Sequence, residues 1–233
     1  MKRFYREAAA VAGADGHAIT LDGRPVHTPA RAPLILPTAA LAQAVVEEWA
    51  AQGETINPTA MPFTGFANAA IDQIAPDPAA FAKTVSVYGE SDLLCYRADS
   101  PAELARRQAE RWQPLLDWAS RRYDVAFAVT SGIVHVAQPE ATLARLHEAA
   151  AARAPFALAA LAPLVGLSGS LVIGLAAAEG AFEIDELWQA AELDELWQVD
   201  QWGDDDEARA RREQRQEDFR RAARFAALTA QSA

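Results

Sequence analysis

The first 37 or so residues of the chain read as short strands and turns. Ala18-Ile-Thr-Leu21 runs into Asp22-Gly23, a dipeptide suited to the positive φ angles of a tight hairpin, and Arg24-Pro-Val-His-Thr28 is the returning strand. Pro25, Pro29, Pro33 and Pro37 recur every four residues; each removes a backbone donor, so this stretch is edge strand or extended loop and not helix. The pattern then changes period. Thr38 is a good N-cap, and Leu41, Val45, Val46 and Trp49 follow at helical spacing towards Gly53. Further helices are predicted over 62–74 and 78–88, whereas Ser91 to Ala98 is ambiguous.

Beyond Ser100 the chain becomes strongly helical. Ser100-Pro101-Ala102-Glu103 combines an N-cap, an N1 proline and an N3 carboxylate, and Leu104, Gln108, Trp112, Leu115, Leu116 and Trp118 carry that helix towards Tyr123. A β-prone piece from Val125 to Val136 is broken at Ser131-Gly132. Helices return over 139–153, 155–178, 183–201 and 204–228. The expected fold class is therefore α+β, with a small β-containing N-terminal domain over 1–75 and a mainly helical C-terminal domain over 76–233.

The uncharged stretch from Ala154 to Ala178 has 25 residues, and roughly 20 suffice to span a bilayer. Pro163 interrupts it and Gly166, Ser168, Gly169, Ser170 and Gly174 dilute it, so it reads as a buried central helix or two short ones. Hydrophobic residues make up 51% of the chain and charged residues 23%, an ordinary globular balance that permits a sizeable core. The start, Met1-Lys-Arg-Phe-Tyr-Arg6, has no apolar run behind it and does not read as a secretory signal. Cys95 is the single cysteine, which excludes an intrachain disulfide and a cysteine-built zinc site; among Leu93, Leu94 and Tyr96 it is expected to be buried and inert.

Net charge is −11, which argues against general nucleic-acid binding. Its placement says more. Glu183 to Glu207 holds eleven acidic residues and no Lys or Arg, so the other 208 residues sum to zero. Trp188, Trp197 and Trp202 are interleaved with the acids, and Asp-Glu-Leu-Trp-Gln occurs twice, at 185–189 and 194–198. Nine residues apart on one continuous helix, the two copies face opposite sides. Such a helix places Ile184, Trp188, Ala191, Val199 and Trp202 on one stripe with Glu195 inside it, and a carboxylate there needs a partner, either an arginine of this chain or a group on another protein. Seven arginines between Arg209 and Arg224 follow directly, either as a solvated face or as partners for these acids.

Little supports chemistry. No phosphate-binding glycine loop occurs, Gly166-Leu-Ser168-Gly169 has the wrong spacing for a nucleophile elbow, and His17, His27, His135 and His147 are scattered. No cofactor or metal is expected. The best enzyme alternative is a carboxylate-based acid/base hydrolase within the acidic segment; the other alternative is a general acidic chaperone for basic proteins.

The chain resembles the F1-ATPase assembly chaperones that protect the alpha subunit before it joins the beta subunit, found in mitochondria and alphaproteobacteria. The resemblance rests on Phe4-Tyr5, Leu21-Asp-Gly-Arg-Pro-Val26 with Thr28-Pro29, Glu48-Trp49 with Gln52, Ile56 and Pro58, and Met61-Pro62. It continues through Asp92-Leu-Leu-Cys-Tyr-Arg97, Trp112 with Pro114 and Trp118, Gly169-Ser170, and Trp197-Gln198 with Trp202-Gly203 and Glu207. His27, Gln113 and Glu192 depart from the residues expected in many relatives. The resemblance implies a holdase without catalytic activity, whose partner is the F1 alpha subunit and whose partner-binding residues are Glu195 or Asp194, with Gln198, Trp202 and Glu207. It also implies a packing role for Trp49; the absence of a presequence suggests a bacterial member working in the cytoplasm, and the broken apolar stretch no membrane insertion.

Overall fold

The computed structural model describes residues 1–230, with N-terminal strands followed by a mostly helical remainder, an α+β fold. Two compact units emerge from the contacts. The first comprises Met1–Pro78, Ala154–Ala160 and the end of the last helix from Arg224; the second comprises Ala79–Arg153 and Leu161–Ala223. Segments 154–160 and 224–230 thus join the N-terminal unit, which a single division near residue 75 does not include.

In the first unit, β1 (Ala8–Gly13) pairs antiparallel with β2 (Gly16–Leu21), and the far edge of β2 takes both β3 (Arg24–Pro25) and β4 (Ile35–Leu36). The register Leu21↔Arg24 leaves Asp22 and Gly23 as the two turn residues, with φ of 48° and 78° as that dipeptide predicts. The Asp22 carboxylate accepts from the backbone N–H groups of Arg6 and Glu7 at 2.9–3.2 Å, which ties the turn to the N-terminal arm.

Helix α1 (Ala39–Ala50) begins at Thr38, whose Oγ1 accepts from Leu41 N at 3.1 Å and donates to Leu228 O at 2.7 Å. Glu48 of α1 caps α2 (Pro62–Ala69) from outside that helix: its carboxylate accepts from Phe63 N, Thr64 N and Thr64 Oγ1 at 2.7–2.8 Å, satisfying orphan donors of the first turn. A wider π-helical turn over Ala70–Ile74, with Ala75 N donating to Ala70 O five residues back at 2.8 Å, prolongs α2. Tyr5, Leu21, Ile56 and Met61 form one buried cluster with Trp49 packed on it, and Tyr5 donates to Trp49 O at 2.7 Å. Phe225 meets Phe63, Phe66 and Phe156 at ring-centre distances of 5.2–6.4 Å, closing a second aromatic group.

The second unit contains most of α3 (Pro78–Ser86), α4 (Ala102–Tyr123), α5 (Glu140–Ala151), the second half of α6 (Pro155–Ser168), α7 (Leu171–Glu179), α8 (Ile184–Ala191), α9 (Leu193–Trp202) and most of α10 (Asp206–Ala230). The apolar stretch is two helices, broken where Gly169 takes φ of +67° and Ser170 caps Ile173 N at 3.0 Å. Residues Leu171–Ala177 are buried on every face, so α7 is the central element. A Cβ on Gly174 would lie 2.4 Å from the Val165 side chain, which is why α6 and α7 approach so closely there.

Asp92 is fully buried and braces this centre, its carboxylate accepting from Leu94 N and Val172 N at 3.0–3.1 Å. Burial raises its pKa, opposed by the hydrogen bonds from Ser170, Val172, Leu94 and Leu171. The Cys95 thiol beside it is pushed up to about 12, first by burial and then by Asp92, so it stays protonated.

Three local expectations are corrected. Ser100 does not cap α4; extended Pro101 is the last residue outside the helix, and its carbonyl accepts from Leu104 N and Ala105 N. The β-prone piece from Val125 to Val136 yields only β6 (Thr130–Ser131), parallel to β5 (Tyr96–Arg97), because β5 is itself two residues long. The segment 183–201 is two helices, since Glu192 leaves the helical region at φ −93°, ψ 10°. The single stripe from Ile184 to Trp202 does not exist.

Candidate partner-binding surface

Helix α8 turns its apolar side inward. Leu187 is fully buried and Trp188 is 3% exposed, its ring 5.4 Å from Phe219 and under the Arg215 guanidinium, also at 5.4 Å. Trp112 donates its indole N–H to Ala190 O at 2.8 Å, fixing the end of α8. Glu192 follows at the break. Its side chain is 4% exposed and pairs with Arg215 at 2.9 Å. Burial pushes its pKa up to about 7, with Arg215 and Arg212 opposing and the neighbouring Glu195 reinforcing the rise.

Glu195 finds its partners within the chain. Arg212 approaches it at 3.1 Å and Arg215 at 3.5 Å, while Arg212 also binds Asp204 at 2.6 Å. Burial works against the charge on Arg212, but Glu195 and Asp204 outweigh it and raise its pKa. Asp194 accepts from Gln108 Nε2 at 2.7 Å. Gln108 is buried, takes Ala98 N on its Oε1 at 2.6 Å, and offers its backbone carbonyl to Arg97, whose guanidinium lies 5.1 Å from the Trp112 ring centre. Asp194 is thereby wired into the centre of the unit.

Gln198, Trp202 and Glu207 are exposed. Trp202 is 79% exposed, and no hydrogen bond, ring contact or cation contact holds it among the described residues. Glu207 lies in the first turn of α10 and pairs with Arg211 one turn on. The α9 helix thus brings Asp194, Glu195, Gln198 and Trp202 together, with Glu195 and Trp202 seven residues apart on one face. Glu207 belongs to the next helix.

Between α4 and α9 lies an open cleft of about 530 Å³, lined by Arg106, Arg107 and Arg111 on one side and by Leu193, Leu196 and Trp197 on the other. Arg107 links the two helices, its guanidinium 4.8 Å from the Trp197 ring centre and 3.2 Å from Asp200. Among the described residues no group of three or more His, Cys, Asp or Glu side chains could hold a metal ion.

The residues that sequence reading did not single out are Gln108, Arg107, Arg212 and Arg215. Arg212 and Arg215 carried a signal, the basic run directly after the acidic one, whereas Arg107 of α4 lies outside that run. Gln108 carried none, because its partner lies 86 residues away.

The ATP12 chaperone protein family matches residues 2–120, just over half of the chain. The chain belongs to the ATP12 chaperone family. It is 42% identical to Atp12 of Paracoccus denitrificans over 98% of both chains, with a TM-score of 0.93. An Asp-to-Lys variant of that protein superposes as well, at a TM-score of 0.94, 42% identity and coverage of 98% of this chain and 97% of the other. A chaperone candidate from Agrobacterium tumefaciens is 41% identical over 97% of this chain and 85% of its own, with a TM-score of 0.92. This ATP12-family chain is accordingly a chaperone of ATP synthase assembly, and no helix among its described residues is long and apolar enough to cross a membrane.

Proposed function

We propose that the protein is a cytoplasmic holdase for the unassembled F1 alpha subunit, shielding that subunit's beta-facing surface until assembly, with no catalytic activity of its own. The observation that carries the site is Trp202: a large indole, 79% exposed and unpartnered, stands at the end of α9 among acids of the most acidic segment in the chain. An exposed aromatic ringed by polar groups has the character of a binding anchor. In this reading Gln198, Trp202 and Glu207 meet the partner, while Asp194 and Glu195 hold α9 in place through Gln108, Arg212 and Arg215, and Asp194 presents its second oxygen at the rim.

The same pairing weighs against the alternatives. A polyanionic binder of basic proteins needs free carboxylates, yet Asp185, Glu192, Glu195, Asp200, Asp204 and Glu207 are each engaged by an arginine of this chain. A hydrolase needs a carboxylate pair facing a substrate pocket, and these face guanidinium groups instead.

The test is capture of purified alpha subunit by the immobilised protein at moderate salt. Trp202→Ala should reduce capture at least about tenfold with an unchanged unfolding midpoint, the behaviour of an interface hot spot. Glu195→Lys should abolish capture, with a modest loss of stability from the displaced Arg212. Undiminished capture by Trp202→Ala would remove the site.

A further inference from the structure

The cleft between α4 and α9 holds more positive charge than its own walls use. Two acids line it, and each is taken by an arginine that lines it too, Glu110 by Arg106 and Asp200 by Arg107 at 3.2 Å. That leaves Arg111. Its side chain is exposed and lines the cleft, yet among the described residues it forms no hydrogen bond, ion pair or ring contact. A smaller cavity of about 150 Å³ shares Glu110 and Arg111 with the cleft and is lined on α8 by Glu186, which forms no ion pair with Arg111. Glu186 repels a carboxylate from that side of Arg111, so the free face of the guanidinium is the one towards the larger cleft.

Across from the arginines, Leu193, Leu196, Trp197 and Asp200 recur at i, i+3, i+4 and i+7, which is one face of α9, with Trp202 on the opposite face. Leu193 is buried, but Leu196 and Trp197 are only half-covered. An open apolar wall therefore stands beside an unpaired cation. The volume of about 530 Å³ lies within the roughly 300–1,000 Å³ of concave sites that enclose a ligand group.

We infer that this cleft takes a segment of the alpha subunit in which a carboxylate stands beside a bulky apolar side chain, the carboxylate on Arg111 and the apolar group on Leu196 and Trp197. The inference rests on the partner reading above but uses the face of α9 that Trp202 does not. Charge selects the acid, because a guanidinium fork without a partner matches a carboxylate in two parallel hydrogen bonds. The wall selects its apolar neighbour. Charge also sets a second copy aside: two chains of −11 each repel one another. The largest anchor a copy could offer, Trp202, has its neighbouring acids Asp200 and Asp204 already engaged by Arg107 and Arg212. An assembly chaperone, moreover, holds a subunit other than itself.

Capture of purified alpha subunit by the immobilised full chain at moderate salt tests this. Arg111→Glu should weaken capture about tenfold or more and Arg111→Ala about three- to fivefold, whereas Arg111→Lys, which keeps the charge but not the fork, should weaken it at most about twofold. Leu196→Ala, which strips the open wall, should weaken it about threefold. Because Arg111 has no bond to lose, the unfolding midpoint of Arg111→Ala should match the wild type. Wild-type capture that Arg111→Glu, Arg111→Ala and Leu196→Ala all retain overturns the cleft and leaves the partner reading standing. Tighter capture by Arg111→Glu would mean that a basic segment lies there, and overturns the inference as well. Self-association of the chain alone in sedimentation, abolished by Arg111→Glu, gives the cleft to a second copy and overturns it too. Failure of the wild type to capture alpha subunit overturns both readings.

Discussion

The two copies of Asp-Glu-Leu-Trp-Gln have one sequence and two fates. In the first, Leu187 and Trp188 are buried against Phe219 and Arg215, and Asp185 reaches out to a single surface arginine. In the second, Leu196 and Trp197 are only half-covered and line the α4–α9 cleft, while Asp194 and Glu195 carry the connections to the rest of the unit. The roles of apolar and acidic positions are exchanged between the copies. Local propensity is identical, so the difference comes wholly from what each helix packs on, α8 against α7 and α10, and α9 across the arginines of α4. The break at Glu192 permits it, because one straight helix could only have rotated the same face away.

Truncation of the two tryptophans is the largest way to break the symmetry. Trp188→Ala should cost about 3–5 kcal/mol, as large-to-small changes in a closed site do, whereas Trp197→Ala, which loses an exposed cation–π contact and part of a cleft wall, should cost about 1 kcal/mol. Urea unfolding midpoints of the two variants measure the contrast. Equal losses would mean that the copies are packed alike.

Much of this architecture is legible in the residues and some is not, for physical reasons. Asp22-Gly23, Thr38 and Gly169-Ser170 act through their own backbone angles or caps, so the hairpin, the start of α1 and the split of the apolar stretch can all be read locally. The break at Glu192 carries no glycine or proline; it is held by Arg215, 23 residues on, and by the burial of Trp188 on one side and Leu193 on the other. The strand signal over 125–136 fails likewise, since the backbone of Ala126 and Ala128 is bonded by the side chains of Thr142 and Gln138 and not by a strand. Candidate site residues are legible as a composition, acids among tryptophans, but which of them are tied down depends on α4 and α10.

The break itself supplies the next contrast. A carboxyl whose pKa rises from its ordinary value near 4.5 to about 7 on folding binds its proton more tightly in the folded chain. Stability from that group is therefore full below about pH 4.5 and falls as pH rises towards 7. Glu192→Gln keeps the neutral form at every pH, so its unfolding free energy should lose that decline, on the order of 1–3 kcal/mol between pH 5 and 7 relative to wild type. Urea unfolding across this range reads the slope. An unchanged slope would mean that Glu192 is ionised in the folded chain and that its bond to Arg215, not its burial, governs the break between the copies.

The two aspartates give the smallest contrast. Asp194 accepts from Gln108, which is buried and has already spent its Oε1 on Ala98, so Asp194→Ala leaves an amide N–H without an acceptor and should cost about 1–2 kcal/mol. Asp185 pairs with Arg220 at 2.7 Å, but both side chains are about half exposed, and Asp185→Ala should cost no more than about 0.5 kcal/mol. Salt separates them further. Raising sodium chloride to about 0.5 M shortens the screening length to a few ångströms and should erase the Asp185 effect while leaving the Asp194 effect in place. If both losses shrank together, Asp194 would be acting as another surface charge, and α9 would be held to α4 by field rather than by a specific hydrogen bond.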